Sequence, residues 1–273
     1  MMIKKLIKFP KNLTDKKIEK FFRNKNLSNV IKLYKGKYQS VSDMRLNKPY
    51  NIELRDWYNL YRLFEFVVLN KRTTVLEFGS GWSSLVLHVA LNENKKKYLD
   101  YVKNNLRRNN LFKLFVIENE KKFLNISKKR IENFTRNKQF INSKISFFYS
   151  PCEMTTFNDQ FATQYKKLPL CNPDFIYLDG PDQFNIKKRI NNFTTAHKDM
   201  MPMVCDILKM EYFLNPGTII VIDGRGANAQ FLKDNFKRKW LYLNDKKFDQ
   251  HIFYLNAPTV GKYNDLQLKF YKS

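Results

Sequence analysis

Short, nearly continuous apolar runs alternate with helical patterns along the middle of this chain. The runs are residues 74–78, 114–117, 145–149, 175–178 and 218–222, and the helical patterns cover 83–91, 97–109 and 120–134. Continuous apolar strands that alternate with helices are typical of a parallel sheet covered by helices on both faces. We therefore predict an α/β fold. Two later runs predict further strands at 240–243 and 251–255, and a candidate edge strand lies at 266–271.

The rest of the chain divides around these strands. Residues 1–50 are rich in lysine and predict a basic N-terminal helical extension, whereas a helical apolar pattern begins at residue 51 and opens a domain over 51–273. The segment 182–213 shows no strand pattern, and its methionines and aliphatic residues predict a helical insertion before the fifth strand.

Composition excludes several classes of protein. With 43% hydrophobic residues the chain has enough material for a packed core, which excludes a disordered tail. No apolar run approaches the roughly 18 residues of a transmembrane segment, and Pro10 interrupts the N-terminal apolar stretch before a signal peptide is complete. A cytoplasmic protein is expected. The three cysteines are widely spaced and predict neither a disulfide framework nor a zinc site.

The formal net charge of +25 is unevenly distributed. The windows 1–48, 95–113 and 121–138 carry +11, +6 and +6 of it. One interpretation is an electropositive surface, above all in the basic N-terminal region, for nucleic acid or another anionic surface. The other, which we favour, is that the lysines lie on solvated helix faces.

Glycines and acidic residues cluster where the predicted strands end. The chain has only 8 glycines, fewer than half of the roughly 19 that an average usage of about 7% gives. Five of them follow the ends of the first, fourth and fifth strands, and four acids lie at the strand ends: Glu77, Glu118, Asp179 and Asp223. Since ligands bind beyond the carboxyl ends of parallel strands, this edge is the predicted site.

The first strand leads through a glycine turn into a helix. Gly79 and Gly81 would let the backbone approach a ligand, and Ser83 and Ser84 are candidates to cap the helix. Glu118, at the next strand end, is placed to accept both hydroxyls of a ribose. Position 84 is Ser rather than a third Gly or Ala, which disfavours a dinucleotide site, and no GKS or GKT follows to make a P-loop.

Four segments together resemble class I S-adenosylmethionine-dependent methyltransferases, of the type that acts on small molecules at oxygen. Residues 77–81 (EFGSG) resemble the first motif of that family, and 115–119 (FVIEN) resemble its second-strand acidic motif. Residues 173–181 (PDFIYLDGP) are similar to its fourth-strand segment, and 214–223 (LNPGTIIVID) to its fifth strand. The resemblance implies a Rossmann-like, mostly parallel seven-stranded sheet with helices on both faces, and S-adenosyl-L-methionine as the cofactor.

The resemblance also implies roles for individual residues. Gly79 and Gly81 would approach the methionine part of the cofactor, Glu77 would hold its amino end, and Glu118 its ribose. The implied cofactor-binding residues are Glu77, Phe78, Gly79, Ser80, Gly81, Trp82, Ser83, Glu118, Asn119, Cys152, Glu153, Asp179 and Gly180.

The candidate catalytic residues are Asp179, Asp223, Arg225 and His251. Either aspartate is a candidate general base, or both are candidate ligands of a divalent cation. Some metal-dependent members of the family have a further ligand directly after the fifth strand, where this chain has Gly224. No metal site is therefore predicted. Arg225 is placed either to grip an anionic group of the acceptor or to pair with Asp223. His251 is either a base at the mouth of the site or a packed histidine.

These residues favour methyl transfer to a small-molecule acceptor, at an oxygen. Two alternatives stay open: an RNA or DNA methyltransferase that uses the basic surface, and a non-catalytic binding module with the same fold. The Asn/Asp-Pro-Pro-aromatic sequence common in base amino-methylating enzymes is absent after the fourth strand.

Overall fold

The computed structural model describes residues 2–28, 54–136 and 143–273. The described residues form ten strands: β1 (Thr74–Phe78), β2 (Lys113–Glu118), β3 (Lys144–Tyr149), β4 (Cys152–Phe157), β5 (Gln160–Tyr165), β6 (Phe175–Leu178), β7 (Ile186–Lys187), β8 (Ile219–Asp223), β9 (Trp240–Asp245) and β10 (Gln250–Leu255). Seven of them form the main sheet, in the order β3-β2-β1-β6-β8-β10-β9, and β5-β4-β7 form a second, smaller sheet.

The main sheet is parallel except at one edge. Strands β3, β2, β1, β6 and β8 run parallel to one another, whereas β10 is antiparallel to both of its neighbours. Its central strands β1, β6 and β8 are mostly apolar and almost entirely buried, as expected for a sheet covered on both faces; Thr74, Glu77 and Asp223 are their polar residues. The predicted Rossmann-like, mostly parallel seven-stranded sheet is therefore confirmed.

Helices cover the two faces. They are α1 (Ile3–Leu6), α2 (Asp15–Asn24), α3 (Leu54–Leu69), α4 (Trp82–Asn105), α5 (Lys121–Arg136), α6 (Asp206–Lys209), α7 (Gly226–Asn235) and α8 (Lys262–Lys272). Because side chains alternate along a strand, Val75 and Val221 pack with α2–α5 on one face, whereas Leu76 and Ile220 pack with the β4–β5 hairpin, α6 and α7 on the other. None of the helices in the described ranges is long and apolar enough to cross a membrane.

The described part of the basic N-terminal extension is packed onto the domain. Ile18 and Phe22, one turn apart on α2, are fully buried, and the ring of Phe22 lies 5.3 Å from that of Trp57 on α3. Ile3 and Leu27 join the same core. Residues 2–28 therefore belong to the packed unit, and the predicted boundary at residue 50 lies outside the described residues.

Three segments differ from their predictions. The predicted edge strand at 266–271 is part of α8, because Phe270 stacks on Tyr101 of α4 at 5.3 Å and helical spacing buries Gln267 and Tyr271 with it. The two predicted helices at 83–91 and 97–109 are one helix, α4. The β4–β5 hairpin was not predicted at all.

The segment 182–213 contains little helix. It has a 3-10 turn at Gln183–Asn185, the short strand β7, the four-residue α6 and a second 3-10 turn at Glu211–Phe213. Its backbone instead hydrogen-bonds to the hairpin: Thr163 N–H donates to Met203, and Cys205 N–H donates to Thr163. These bonds hold residues 203–205 alongside β5.

Candidate active site at the carboxyl ends of the parallel strands

The sheet register brings the predicted acids to one edge. Phe78 of β1 pairs with Ile117 of β2 on one side and with Leu178 of β6 on the other, and Leu178 pairs with Ile222 of β8. The residues that follow these pairs therefore lie along the same edge. They are Gly79, Glu118, Asp179 and Asp223.

Gly79 and Gly180 bring the turns after β1 and β6 into close contact. Gly79 has φ +97°, a conformation that favours glycine, and a Cβ on Gly180 would lie 2.5 Å from the backbone nitrogen of Gly79. By contrast, a Cβ on Gly81 would meet only Ser83 Oγ, at 3.8 Å. Gly79 and Gly180 thus have a packing reason to be glycine, whereas the space beside Gly81 is open.

Glu77, the fourth residue of β1, is completely buried. Ser83 Oγ donates to its Oε1 at 2.5 Å, and its Oε2 has no hydrogen-bond partner among the described residues. Burial, opposed by the hydrogen bonds from Ser83 and Ser84, raises the pKa of Glu77 to about 8. A buried carboxylate with an unused oxygen favours a cationic hydrogen-bond donor beside it.

Glu118, the last residue of β2, is also buried. Ser80 Oγ donates to its Oε2 at 2.9 Å, and the Glu120 backbone N–H donates to Oε1 at 2.9 Å. Burial raises its pKa to about 7 against these bonds. Because each carboxylate oxygen can accept more than one hydrogen bond, Glu118 keeps acceptor capacity for a ligand.

Asn119 hydrogen-bonds to the turn that follows β6. Its Oδ1 accepts from Asp182 N–H at 2.8 Å, and its Nδ2 donates to the carbonyl oxygens of Asp182 and Asn185. The Asp182 carboxylate in turn accepts from Phe184 N–H and Asn185 N–H. Asn119 therefore ties the turn after β6 to the end of β2.

Arg225 lies across the turn that follows β6. Its Nη2 donates to the carbonyl oxygens of Asp179 at 2.6 Å and Pro181 at 3.1 Å, and its Nε lies 3.5 Å from Asp179 Oδ1. The sequence allows an ion pair with Asp223 as one role for Arg225. In the structure Arg225 forms an ion pair with Asp179. The side chain of Asp179 is 53% exposed, so it faces the solvent-filled side of this edge.

Asp223 is held by residues that the sequence analysis did not identify. Asn59 Nδ2, from α3, lies 2.9 Å from both Asp223 oxygens, and Tyr177 OH lies 3.4 Å from Oδ2. Asn59 is buried, and its Oδ1 has no partner among the described residues. The helical pattern of α3 indicated only packing, so no local signal linked Asn59 to the strand ends more than 100 residues away.

Tyr165 was also missed. It comes from the unpredicted β5, and its hydroxyl would lie 2.8 Å from a Cβ on Gly180. The hydroxyl is buried and has no partner among the described residues, and burial raises its pKa well above the ordinary value. Tyr165 therefore brings a protonated phenol to the Gly79–Gly180 contact.

Several predicted site residues have other contacts. His251 Nδ1 lies 2.7 Å from Tyr242 OH, and burial lowers its pKa. Cys152 is fully buried in the core, and the Glu153 carboxylate pairs with Lys188 at 3.1 Å. Trp82 lies under Arg130, whose guanidinium carbon is 3.4 Å from the ring centroid. Trp82 Nε1 is buried and has no hydrogen-bond partner among the described residues, so it keeps an unused donor.

The buried carboxylates make the stability of the ligand-free protein depend on pH. The pKa of Glu77 is about 8 in the folded protein and about 4.5 when unfolded, so the folded state keeps its proton longer. The stabilisation is complete below the unfolded value and is lost as pH rises through the folded value. We expect the unfolding temperature to fall between pH 5 and pH 8.

Thermal unfolding of Glu77→Gln checks the source of this slope. In this variant the unfolding temperature should fall less steeply between pH 5 and pH 8. Part of the fall should remain, because burial raises the pKa of Glu118 and of Asp206 to about 7 as well. Glu132→Gln, at an exposed position of α5, is the control and should retain the full slope. An unchanged slope in Glu77→Gln would contradict the assignment.

Comparisons with known proteins give similarity to solved structures only. Cofactor-bound Rv0187 from MTB is 10% identical, with 91% of this chain and 100% of that chain covered and a TM-score of 0.42. The O-methyltransferase from Bacillus cereus in complex with SAH is 12% identical, with 92% and 93% covered and a TM-score of 0.35. TomG from Streptomyces achromogenes, an O-methyltransferase in complex with SAM, is 13% identical, with 94% of each chain covered and a TM-score of 0.35.

No protein-family model and no curated protein matches the chain. The TM-scores of the structural matches are too low to carry a statement about chemistry.

Proposed function

We propose that this protein is an S-adenosylmethionine-dependent methyltransferase that methylates an oxygen of a small-molecule acceptor. The observation that carries the proposal is the pair of buried carboxylates at neighbouring strand ends, Glu77 and Glu118, each with its pKa raised by burial. Two such groups beside a glycine turn suit a ligand that carries both a cation and hydroxyl donors.

Glu77 would hold the amino end of the cofactor. Its unpartnered Oε2 fits an ammonium group, which would favour the ionised carboxylate and remove the cost of burying it alone. Ser83 would keep the carboxylate oriented through its bond to Oε1. The proposed role of Ser83 is thus to position Glu77.

Glu118 would accept the two ribose hydroxyls. Ser80 and the Glu120 backbone orient its carboxylate, so little side-chain freedom remains to be lost on binding. Gly81 leaves open space beside the start of α4, where backbone groups of residues 78–82 would approach the cofactor. The side chain of Phe78 is in the core, so only its backbone is available.

Asp179 would accept the acceptor's proton. When bound, the cofactor supplies a methyl group on a positively charged sulfur that is already activated, so the protein contributes alignment, exclusion of water and proton removal. Burial raises the pKa of Asp179, and Arg225, in contact at 3.5 Å, opposes that rise. Asp223, whose two oxygens accept from Asn59 Nδ2, would orient the acceptor.

Calorimetric titration of the full chain with S-adenosylmethionine tests the proposal. We expect saturable binding, and turnover in a screen of hydroxyl compounds assayed by release of S-adenosylhomocysteine. Binding without turnover on any acceptor would favour the non-catalytic module, and turnover on RNA or DNA alone would favour the nucleic-acid alternative. An absence of binding at millimolar cofactor would contradict methyl transfer.

Replacement of Arg225 tests its proposed role in the reaction with the acceptor. With the best acceptor from the screen, Arg225→Ala should lower kcat/KM by at least about tenfold, because Asp179 loses its charge-assisted partner. Arg225→Lys should recover part of the loss. Arg23→Ala, at an exposed position of α2, is the control. A normal kcat/KM in Arg225→Ala would remove Arg225 from the mechanism.

A further inference from the structure

His251, on β10, is the candidate catalytic residue to which the proposed function gives no role. The residue is buried except for 6% of its surface. His251 pairs in register with Ile222 of β8, so its side chain lies on the same face of the sheet as Ile222, which packs with α7. Asp223, the next residue of β8, lies on the other face and contacts Asn59 of α3. His251 therefore reaches the end of β8 from the side opposite to Asp223.

Tyr242 of β9 fixes the orientation of the His251 ring. Its hydroxyl lies 2.7 Å from Nδ1, and the two rings stack with their centroids 6.0 Å apart. Burial lowers the pKa of His251 against the opposing charge of Asp249, and burial raises the pKa of Tyr242. At neutral pH the imidazole is therefore neutral, with one hydrogen bond available at each nitrogen. Tyr242 takes the one at Nδ1, and Nε2 has no hydrogen-bond partner among the described residues.

Nε2 faces the amino-terminal end of α7. A Cβ on Gly226, the first residue of this helix, would lie 3.4 Å from Nε2 and 3.8 Å from Cε1. Arg225, at the N-cap, makes no side-chain hydrogen bond to the start of the helix. Because the first N–H groups of a helix have no intrahelical acceptor, backbone donors lie beside Nε2. Arg225 also contacts Asp179 at 3.5 Å, so the start of α7 is next to the proposed proton acceptor.

The groups near Nε2 favour a neutral hydroxyl over an anion as the ligand. Asp249 acts on His251 as a nearby negative charge, and Asp179 lies beside the start of α7, where Arg225 pairs with it. These carboxylates would repel an anionic group. A hydroxyl group both donates and accepts a hydrogen bond, so it can bind Nε2 in either tautomer of the imidazole and can also accept from a helix N–H.

We propose that Nε2 of His251, together with the start of α7, binds a hydroxyl group of the acceptor. Tyr242 is then a positioning residue that acts through His251. The inference rests on the proposed function, since it requires a hydroxyl-bearing acceptor at this edge of the sheet. It assigns acceptor binding to His251 and leaves proton removal to Asp179.

Steady-state kinetics with the best acceptor from the hydroxyl-compound screen, at saturating S-adenosylmethionine, test the proposal. His251→Asn retains a polar group near Nδ1 only, so the acceptor KM should rise by about tenfold with little change in kcat. His251→Gln can place its amide near the position of Nε2 and should recover part of the loss. Tyr242→Phe should raise the KM less than His251→Asn. His197→Asn, at an exposed position, is the control and should keep the normal KM.

Calorimetry with S-adenosylmethionine should give the same affinity in all four variants, which keeps the acceptor effect separate from cofactor binding. A normal acceptor KM in His251→Asn, a loss confined to kcat, or the same loss in His251→Asn and His251→Gln would overturn the proposal and leave the proposed function intact. If the wild type binds the cofactor but methylates no hydroxyl compound, both fall. If the histidine variants fold poorly, Tyr242→Phe decides: a raised acceptor KM supports the proposal, and an unchanged one overturns it.

Discussion

Glu118→Gln should lower the affinity for S-adenosylmethionine by about 100-fold, since two hydrogen bonds to a charged acceptor are lost at roughly 1.5 kcal/mol each or more. The substitution keeps the shape of the side chain: the Glu120 backbone N–H can still donate to the remaining oxygen, and the Ser80 hydroxyl can turn to accept from the new amide NH2. The fold should survive: burial raises the pKa of Glu118, so removal of this charge should leave the unfolding temperature at pH 8 unchanged or higher.

Calorimetric titration with the cofactor, together with thermal unfolding at pH 8, measures both effects on one preparation. Glu132→Gln is the matched control, because it removes a carboxylate from an exposed position of α5. Wild-type affinity in Glu118→Gln would refute the role of Glu118 as the ribose ligand. A parallel loss of affinity and stability would point instead to local unfolding at the end of β2.

Gly180→Ala should destabilise the protein by about 3 kcal/mol, as an atom is forced into a packed contact. The new Cβ would lie 2.5 Å from the nitrogen and 2.7 Å from the Cα of Gly79. Both are backbone atoms, which cannot rotate away as the end of a side chain can. The turns after β1 and β6 would have to separate, and with them the ends of the two strands.

Gly81→Ala provides the contrast within the same turn. Its φ of −172° is extended backbone, and the new Cβ would meet only Ser83 Oγ at 3.8 Å. We expect a normal unfolding temperature and at least about tenfold weaker cofactor binding, because the methyl group would occupy space proposed for the ligand. Chemical denaturation and calorimetry distinguish the two glycines. Equal stability of Gly180→Ala and Gly81→Ala would contradict the packing argument.

The strands of the main sheet were predictable because each is a local pattern. The runs at 74–78 and 175–178 coincide with β1 and β6, whose side chains are buried on both faces and hence mostly apolar; Thr74 and Glu77 are the polar residues of β1. The alternating pattern at 266–271 predicted a strand, and the structure has α8 there. The helix is stabilised by stacking of Phe270 on Tyr101. The two residues are far apart in the sequence, so the local periodicity of 266–271 does not indicate the contact.

Some residues of the candidate site could likewise be predicted from the sequence, and others could not. The positions of Glu77 and Glu118 follow from strand ends, so their convergence could be predicted from a parallel sheet alone. Asn119 follows Glu118 directly, yet its amide is bound to the turn at Asp182. Asn59 and Tyr165 could not have been predicted, because they reach this edge from α3 and β5, elements that lie beside the sheet only in the folded chain.

The sequence by itself determined the α/β class, the carboxyl edge as the place for chemistry, and the acids and glycines at that edge, because all three depend on short-range pattern and on the direction of parallel strands. Only the tertiary structure decided which of those groups remain available. In the folded chain Asn119 hydrogen-bonds to the turn after β6, and Cys152 is buried in the core. Arg225 pairs with Asp179, whereas one oxygen of Glu77 has no partner among the described residues. Availability depends on packing between distant segments, and that is settled only when the chain has folded.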